Sequence, residues 1–159
     1  MKASKGFSLI EVLVFISILS IFFVVAIAVV TASLRNMKVD EHKILAVRSA
    51  EELLEWVTSE KETDWSTFTG YVGTYCLNDN LGVDWLTTFT YTKNKSGSCT
   101  SGEFDGIGST SPLIYKRQLS LTGIGSSPYN RIDANVVVSW QEPNKTYSIS
   151  LDKTFSVWE

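Results

Sequence analysis

Between Val12 and Leu34 the chain runs for 23 residues without an Asp, Glu, Lys or Arg. As a helix rising about 1.5 Å per residue, such a run spans about 34 Å, enough to cross a bilayer core of about 30 Å. A segment this apolar must lie in lipid, be covered by protein or be removed. From Arg35 onward the chain is polar and mildly acidic, and the whole carries a formal charge of -3 over 159 residues. That length is one domain plus an N-terminal extension. Lys and Arg form no cluster, so no direct nucleic-acid contact is expected, because phosphate binding needs concentrated positive charge.

The start reads Met1-Lys-Ala-Ser-Lys-Gly6, then Phe7-Ser-Leu-Ile-Glu11-Val-Leu-Val. A short leader with Lys2 and Lys5 thus ends in glycine directly before the apolar run. An ordinary secretory signal has its small-residue cleavage site after the apolar region. Val30-Thr31-Ala32 could serve that purpose and would release a soluble domain. A plain single-pass anchor is the other simple reading. Glu11 argues against a disposable signal. A carboxylate inside a membrane helix costs about 2.5–3.5 kcal/mol on insertion scales and by default marks a functional residue.

Gly6-Phe7-Ser8-Leu9-Ile10-Glu11-Val12-Leu13-Val14 resembles the class III signal of bacterial type IV prepilins and type II secretion pseudopilins. The resemblance covers about the first quarter of the chain: basic leader, glycine, phenylalanine, and glutamate as fifth mature residue, in register with the apolar run. It implies that a prepilin peptidase cuts between Gly6 and Phe7 and N-methylates Phe7. It also implies that Glu11 acts in filament assembly. Without water, the Glu11 carboxylate needs a proton or a cation, and the freed Phe7 amine of a neighbouring subunit is such a cation. The alternative for Glu11 is a carboxylate at the lipid interface, paired within its own helix.

No Pro or Gly occurs between Phe7 and Glu62. Met37, Ile44, Val47, Ala50, Leu54 and Val57 recur at helical spacing, with Asp40, Glu41, Lys43, Arg48, Glu51, Glu52 and Glu55 between them. This predicts one uninterrupted helix of about 50 residues, apolar first and amphipathic after. Many major pilins carry a helix-breaking proline where Ala28 stands here. Its absence leans toward a minor subunit.

After Lys61 the composition shifts to strand and turn formers. Gly70–Leu77 and Trp85–Thr92 read as strands, and residues 93–111 as a Ser/Gly-rich loop holding Cys99. Leu113, Tyr115, Leu119 and Leu121 alternate; so do Ile132, Ala134, Val136, Val138 and Trp140, and again Tyr147, Ile149 and Leu151. Trp140 and Trp158 are expected in the core. The pattern predicts an antiparallel meander of three or more strands with one buried face, covered by the amphipathic half of the helix. The last hairpin is similar to the ends of PilV-like minor pilins and I-type pseudopilins. If the head lies outside the cytoplasm, Cys76 and Cys99 are expected to form a disulfide; the alternative is two buried free thiols.

Little chemistry is on offer. The lone histidine, His42, falls on the polar side of the predicted helix, where a solvated role is expected, and no Ser-His-Asp or Cys-His set can be assembled. Two Cys and one His do not make a zinc site. Asn78-Asp-Asn80 with Asp84 does not fit the twelve-residue calcium loop and reads as a turn. No metal, no cofactor and no enzymatic activity are expected.

The expected fold class is α+β: a long N-terminal helix, transmembrane then amphipathic, packed on an antiparallel β-sheet head. The expected segments are residues 1–6 as leader, 7–34 as the transmembrane half, 35–62 as the amphipathic half and 63–159 as the head. The resemblance implies a structural subunit of a type IV pilus-like filament, a minor pilin or a minor pseudopilin serving secretion or DNA uptake. A single-pass anchored binding domain is the alternative. Implied partners are other pilin or pseudopilin subunits, prepilin peptidase, the inner-membrane assembly platform and the membrane. Lys2 and Lys5 place the leader in the cytoplasm and the head across the bacterial inner membrane.

Overall fold

A computed structural model describes residues 8–79, 81–90, 94–100, 115–142 and 145–157. A single helix, α1, runs from Leu9 to Thr63. It is followed by α2 (Trp65–Phe68), a 3-10 turn (Thr69–Tyr71), β1 (Gly73–Leu77), α3 (Trp85–Thr88), β2 (Asn94–Ser96), β3 (Tyr115–Ile124), β4 (Arg131–Glu142) and β5 (Lys145–Ser156). The chain divides into two compact units, Met1–Glu41 and His42–Glu159.

In the first unit the described residues are helical from Leu9, and nearly every side chain is exposed. The helix meets no breaker, so backbone hydrogen bonding continues through the apolar run. Its hydroxyls are also satisfied inside the helix. Ser17 donates to the Leu13 carbonyl at 2.8 Å, Ser20 to Ile16 at 2.7 Å and Thr31 to Ile27 at 2.8 Å. Such back-bonding leaves no polar group of these side chains seeking water, as a lipid-facing helix requires.

The second unit is built on a five-stranded antiparallel sheet of order β2-β1-β3-β4-β5. The expected alternation along β4 holds: Ile132, Ala134, Val136, Val138 and Trp140 are buried, and the residues between them are not. They meet Leu119 and Leu121 from β3, Phe155 from β5, and Ala46, Ala50, Leu53 and Val57 from α1 in one core. The fold is therefore α+β, with the distal part of the long helix packed on an antiparallel sheet. The sheet has five strands because two short ones, β1 and β2, extend the meander.

Several local expectations fail, each for a traceable reason. Met37 and Ile44 do not join the core but stay exposed. The buried stripe on α1 is Ala46, Ser49, Ala50, Leu53 and Val57, about half a turn round the helix from Ile44. Trp85–Thr92 is not a strand. Asp84 and Thr87 form a reciprocal capping box that starts α3, and this local bonding overrides the strand propensity of Thr and Phe. Trp85 is buried, its ring stacked on Tyr71 at 4.3 Å and on Trp56 at 5.3 Å. The expected loop from residue 93 includes a strand, because Asn94–Ser96 pairs with β1. Asn94 anchors it from a buried position, donating to the Thr88 carbonyl at 2.9 Å and accepting from the Asp79 N–H at 2.9 Å. Leu113 and Trp158 lie outside the described residues.

His42 is not solvated. Its Nδ1 lies 2.5 Å from Glu142 Oε1 at the end of β4, and both side chains are mostly covered. The Tyr115 hydroxyl donates to the His42 carbonyl at 3.2 Å. This polar set ties α1 to the far ends of β3 and β4.

A disulfide joins Cys76 on β1 to Cys99 just beyond β2, with Cα atoms 4.9 Å apart. Replacing both cysteines with serine is expected to lower stability by about 3 kcal/mol, the loop-closure contribution for a 23-residue separation. Urea unfolding of the two forms reads this directly, as a lower midpoint and a steeper slope for the serine form, whose unfolded chain is less constrained.

Candidate functional site

The candidate site is the exposed N-terminal segment of α1. Leu9, Ile10, Val14, Phe15 and Ile18 all point outward, Leu9 being 78% exposed. Glu11 lies among them, in a shallow surface depression shared with Ile10, Val14, Phe15 and Ile18. Between Leu9 and Leu34 it is the one ionisable side chain in the sequence.

The backbone places Glu11 in the first turn of the helix. The Ser8 carbonyl accepts from the Glu11 N–H at 3.0 Å and from the Val12 N–H at 3.3 Å, which closes that turn. A carboxylate in the first turn faces the positive end of the helix dipole, an orientation that favours the charged group. The arrangement offers an acceptor-only group, held near a helix N-terminus and ringed by aliphatic and aromatic surface. It suits a cation brought by another molecule and offers no nucleophile, acid-base pair or ligand set. Among the described residues no group of three His, Cys, Asp or Glu side chains is placed to hold a metal. Gly6 and Phe7 lie outside the described residues.

A second feature was missed by sequence reasoning. Arg117 on β3 is 1% exposed and lies on the sheet face covered by α1. Its guanidinium donates to the carbonyls of Leu77 at 2.8 Å, Asp79 at 3.2 Å and Ser49 at 3.3 Å. Glu52 on α1 lies 3.7 Å away and supplies a partial countercharge. Burial pushes the Arg117 pKa down to about 10, with Glu52 working the other way, so the side chain stays charged at neutral pH. The signal for it was present: strand parity puts residue 117 on the same side as Leu119 and Leu121.

A lone long helix, apolar and exposed over its first half and packed by its second half on an antiparallel sheet, defines a pilin-like α+β architecture. α1 is one helix long and apolar enough to cross a membrane. Residues 1–27 match the family model described as the prokaryotic N-terminal methylation motif. The chain thus carries the class III signal of type IV pilin and pseudopilin precursors. In general that motif goes with prepilin peptidase processing and assembly with other pilin-type subunits. No curated protein and no solved structure matches the chain with significance.

Proposed function

We propose that this chain is a structural subunit of a type IV pilus-like filament, a minor pilin or minor pseudopilin. The observation that carries the reading is the methylation motif over residues 1–27, with Glu11 in register inside an exposed apolar span. On this reading residues 1–6 are the leader, and prepilin peptidase cuts between Gly6 and Phe7 and methylates Phe7. Residues 7–34 hold the precursor in the bacterial inner membrane, 35–62 carry the helix into the head, and 63–159 form the head outside the cytoplasm. The Cys76–Cys99 disulfide supports that location, since such bonds persist in oxidising compartments. The minor-subunit assignment rests on Ala28, where many major pilins have proline, and on the unbroken α1.

Glu11 then sets the axial position of each subunit. As a protomer leaves the lipid, its carboxylate pairs with the Phe7 amine of a neighbour, an attraction strong only where water is excluded. The assembly platform in the inner membrane and the other filament subunits are the partners. Expression in a bacterium with a working filament machine tests the reading. The chain is expected in the sheared filament fraction as well as in the membrane. Recovery from the membrane alone, with filaments present, would favour a tethered binding module instead.

A further inference from the structure

The two edges of the sheet differ in length: β2 has three residues, whereas β5 has twelve, from Lys145 to Ser156. β5 pairs with β4 on one side, and no described backbone group bonds to its outer side. Every second residue of β5 therefore turns its N–H and C=O away from the sheet. Natural edge strands are commonly blunted by a proline, a bulge or a charge in mid-strand. β5 contains no proline or glycine, and its register with β4 is unbroken from the Arg131–Ser156 pair to the Glu142–Lys145 pair. From Thr146 to Leu151 it carries no charge.

Lys145, Tyr147, Ile149, Leu151 and Lys153 alternate along the strand and share one face, the face on which α1 packs. Tyr147, Ile149 and Leu151 lie opposite the buried Trp140, Val138 and Val136 of β4. They are themselves only half-buried, because no strand flanks them on the other side. An exposed lysine closes the row at each end. Lys145 lies over the Tyr147 ring at 4.9 Å, and Lys153 donates to the Thr58 hydroxyl at 2.9 Å. Neither lysine has an ion-pair partner among the described residues. The acids beside them are engaged elsewhere: Glu142 with His42, and Asp152, on the opposite face, with Asn135.

We propose that the outer edge of β5 receives an extended segment of a different protein, which continues the sheet by one strand. Free N–H and C=O groups at strand spacing fit another extended chain, since a helix spends its own main-chain groups on itself. The half-buried row asks for apolar residues at three alternate positions of the incoming segment. The two lysines ask for an acidic residue on each side of those positions. The same row works against a second copy of this chain. Two β5 edges paired antiparallel and aligned on Ile149 set Tyr147 against Leu151, but they also place Lys145 against Lys153 at both ends, and like charges directly opposite are destabilising. The contact lies on the head alone and does not depend on the filament reading.

A peptide titration tests it. The full-length chain in detergent micelles receives a short fluorescent peptide in which three apolar residues alternate with threonine between terminal glutamates. Saturable binding is expected, with slowed hydrogen exchange at the β5 amides. The same peptide with terminal lysines should bind about tenfold more weakly, because two like-charged cross-strand pairs replace two opposite ones. Lys145→Glu combined with Lys153→Glu, both at exposed positions, should reverse that preference, which a damaged fold would not do. No saturable binding, or binding that leaves exchange in β5 unchanged, overturns the docking edge. Equal affinity for the two peptides overturns the acidic flanks assigned to the partner. Exchange in β5 that slows as the chain is concentrated without peptide overturns the choice of a different protein, because a second copy then takes the edge.

Discussion

Replacing Glu11 with Ala or Gln is expected to remove the chain from filaments while leaving its membrane insertion and head stability unchanged. The carboxylate lies in the unit Met1–Glu41, whereas the core lies within His42–Glu159, so the substitution takes nothing from head packing. Glu11 is exposed and ringed by Ile10, Val14, Phe15 and Ile18. Insertion should improve slightly, because a charge is lost from an apolar span. Assembly should fall by about tenfold or more, because a single ion pair sheltered from water is worth at least about 1.4 kcal/mol. Glu11→Gln keeps size and hydrogen-bonding capacity and removes only the charge. The measurement is the ratio of filament-bound to membrane-bound chain for each variant. If Glu11→Gln enters filaments at wild-type level, charge pairing is not what places the subunit.

Arg117→Ala should produce the largest loss of head stability. The guanidinium bridges β3 to carbonyls on β1, on the segment after β1 and on α1. Its removal leaves those acceptors buried without a donor and opens a void between helix and sheet. The expected cost is about 3–5 kcal/mol, a large share of the 5–15 kcal/mol that holds a typical domain. The melting temperature should drop by roughly 10–20 °C. Arg117→Lys separates charge from geometry. Its single ammonium cannot reach carbonyls that diverge around a planar guanidinium, so it should recover less than half of the loss. A Lys variant as stable as wild type would mean that the charge, rather than the fan of hydrogen bonds, matters here.

What could be read from the residues was whatever depends on local period. The absence of breakers from Phe7 to Glu62 gave α1, and strict alternation from Ile132 to Trp140 gave β4 and its buried face. The methylation motif was legible because its elements sit at fixed spacing in one short stretch. The features that escaped depend on partners distant in sequence. Arg117 went unmarked because its acceptors, Leu77, Asp79 and Ser49, come from about 40 to 70 positions away. Nothing near His42 announces Glu142, 100 positions on. Ile44 was assigned to the core by spacing alone. The stripe that packs on the sheet runs through Ala46, Ser49, Ala50, Leu53 and Val57, which leaves Ile44 on the outward side of the helix. In Trp85–Thr88, composition favoured a strand, and a two-residue capping exchange decided otherwise.

The proposed function depends on a new amine being made at Phe7. The most direct measurement is the intact mass and N-terminal sequence of the chain purified from a host with an active prepilin peptidase. The expected product is a mature chain that begins at N-methylated Phe7. A chain that still begins at Met1, or one that begins at Ser33, would contradict it.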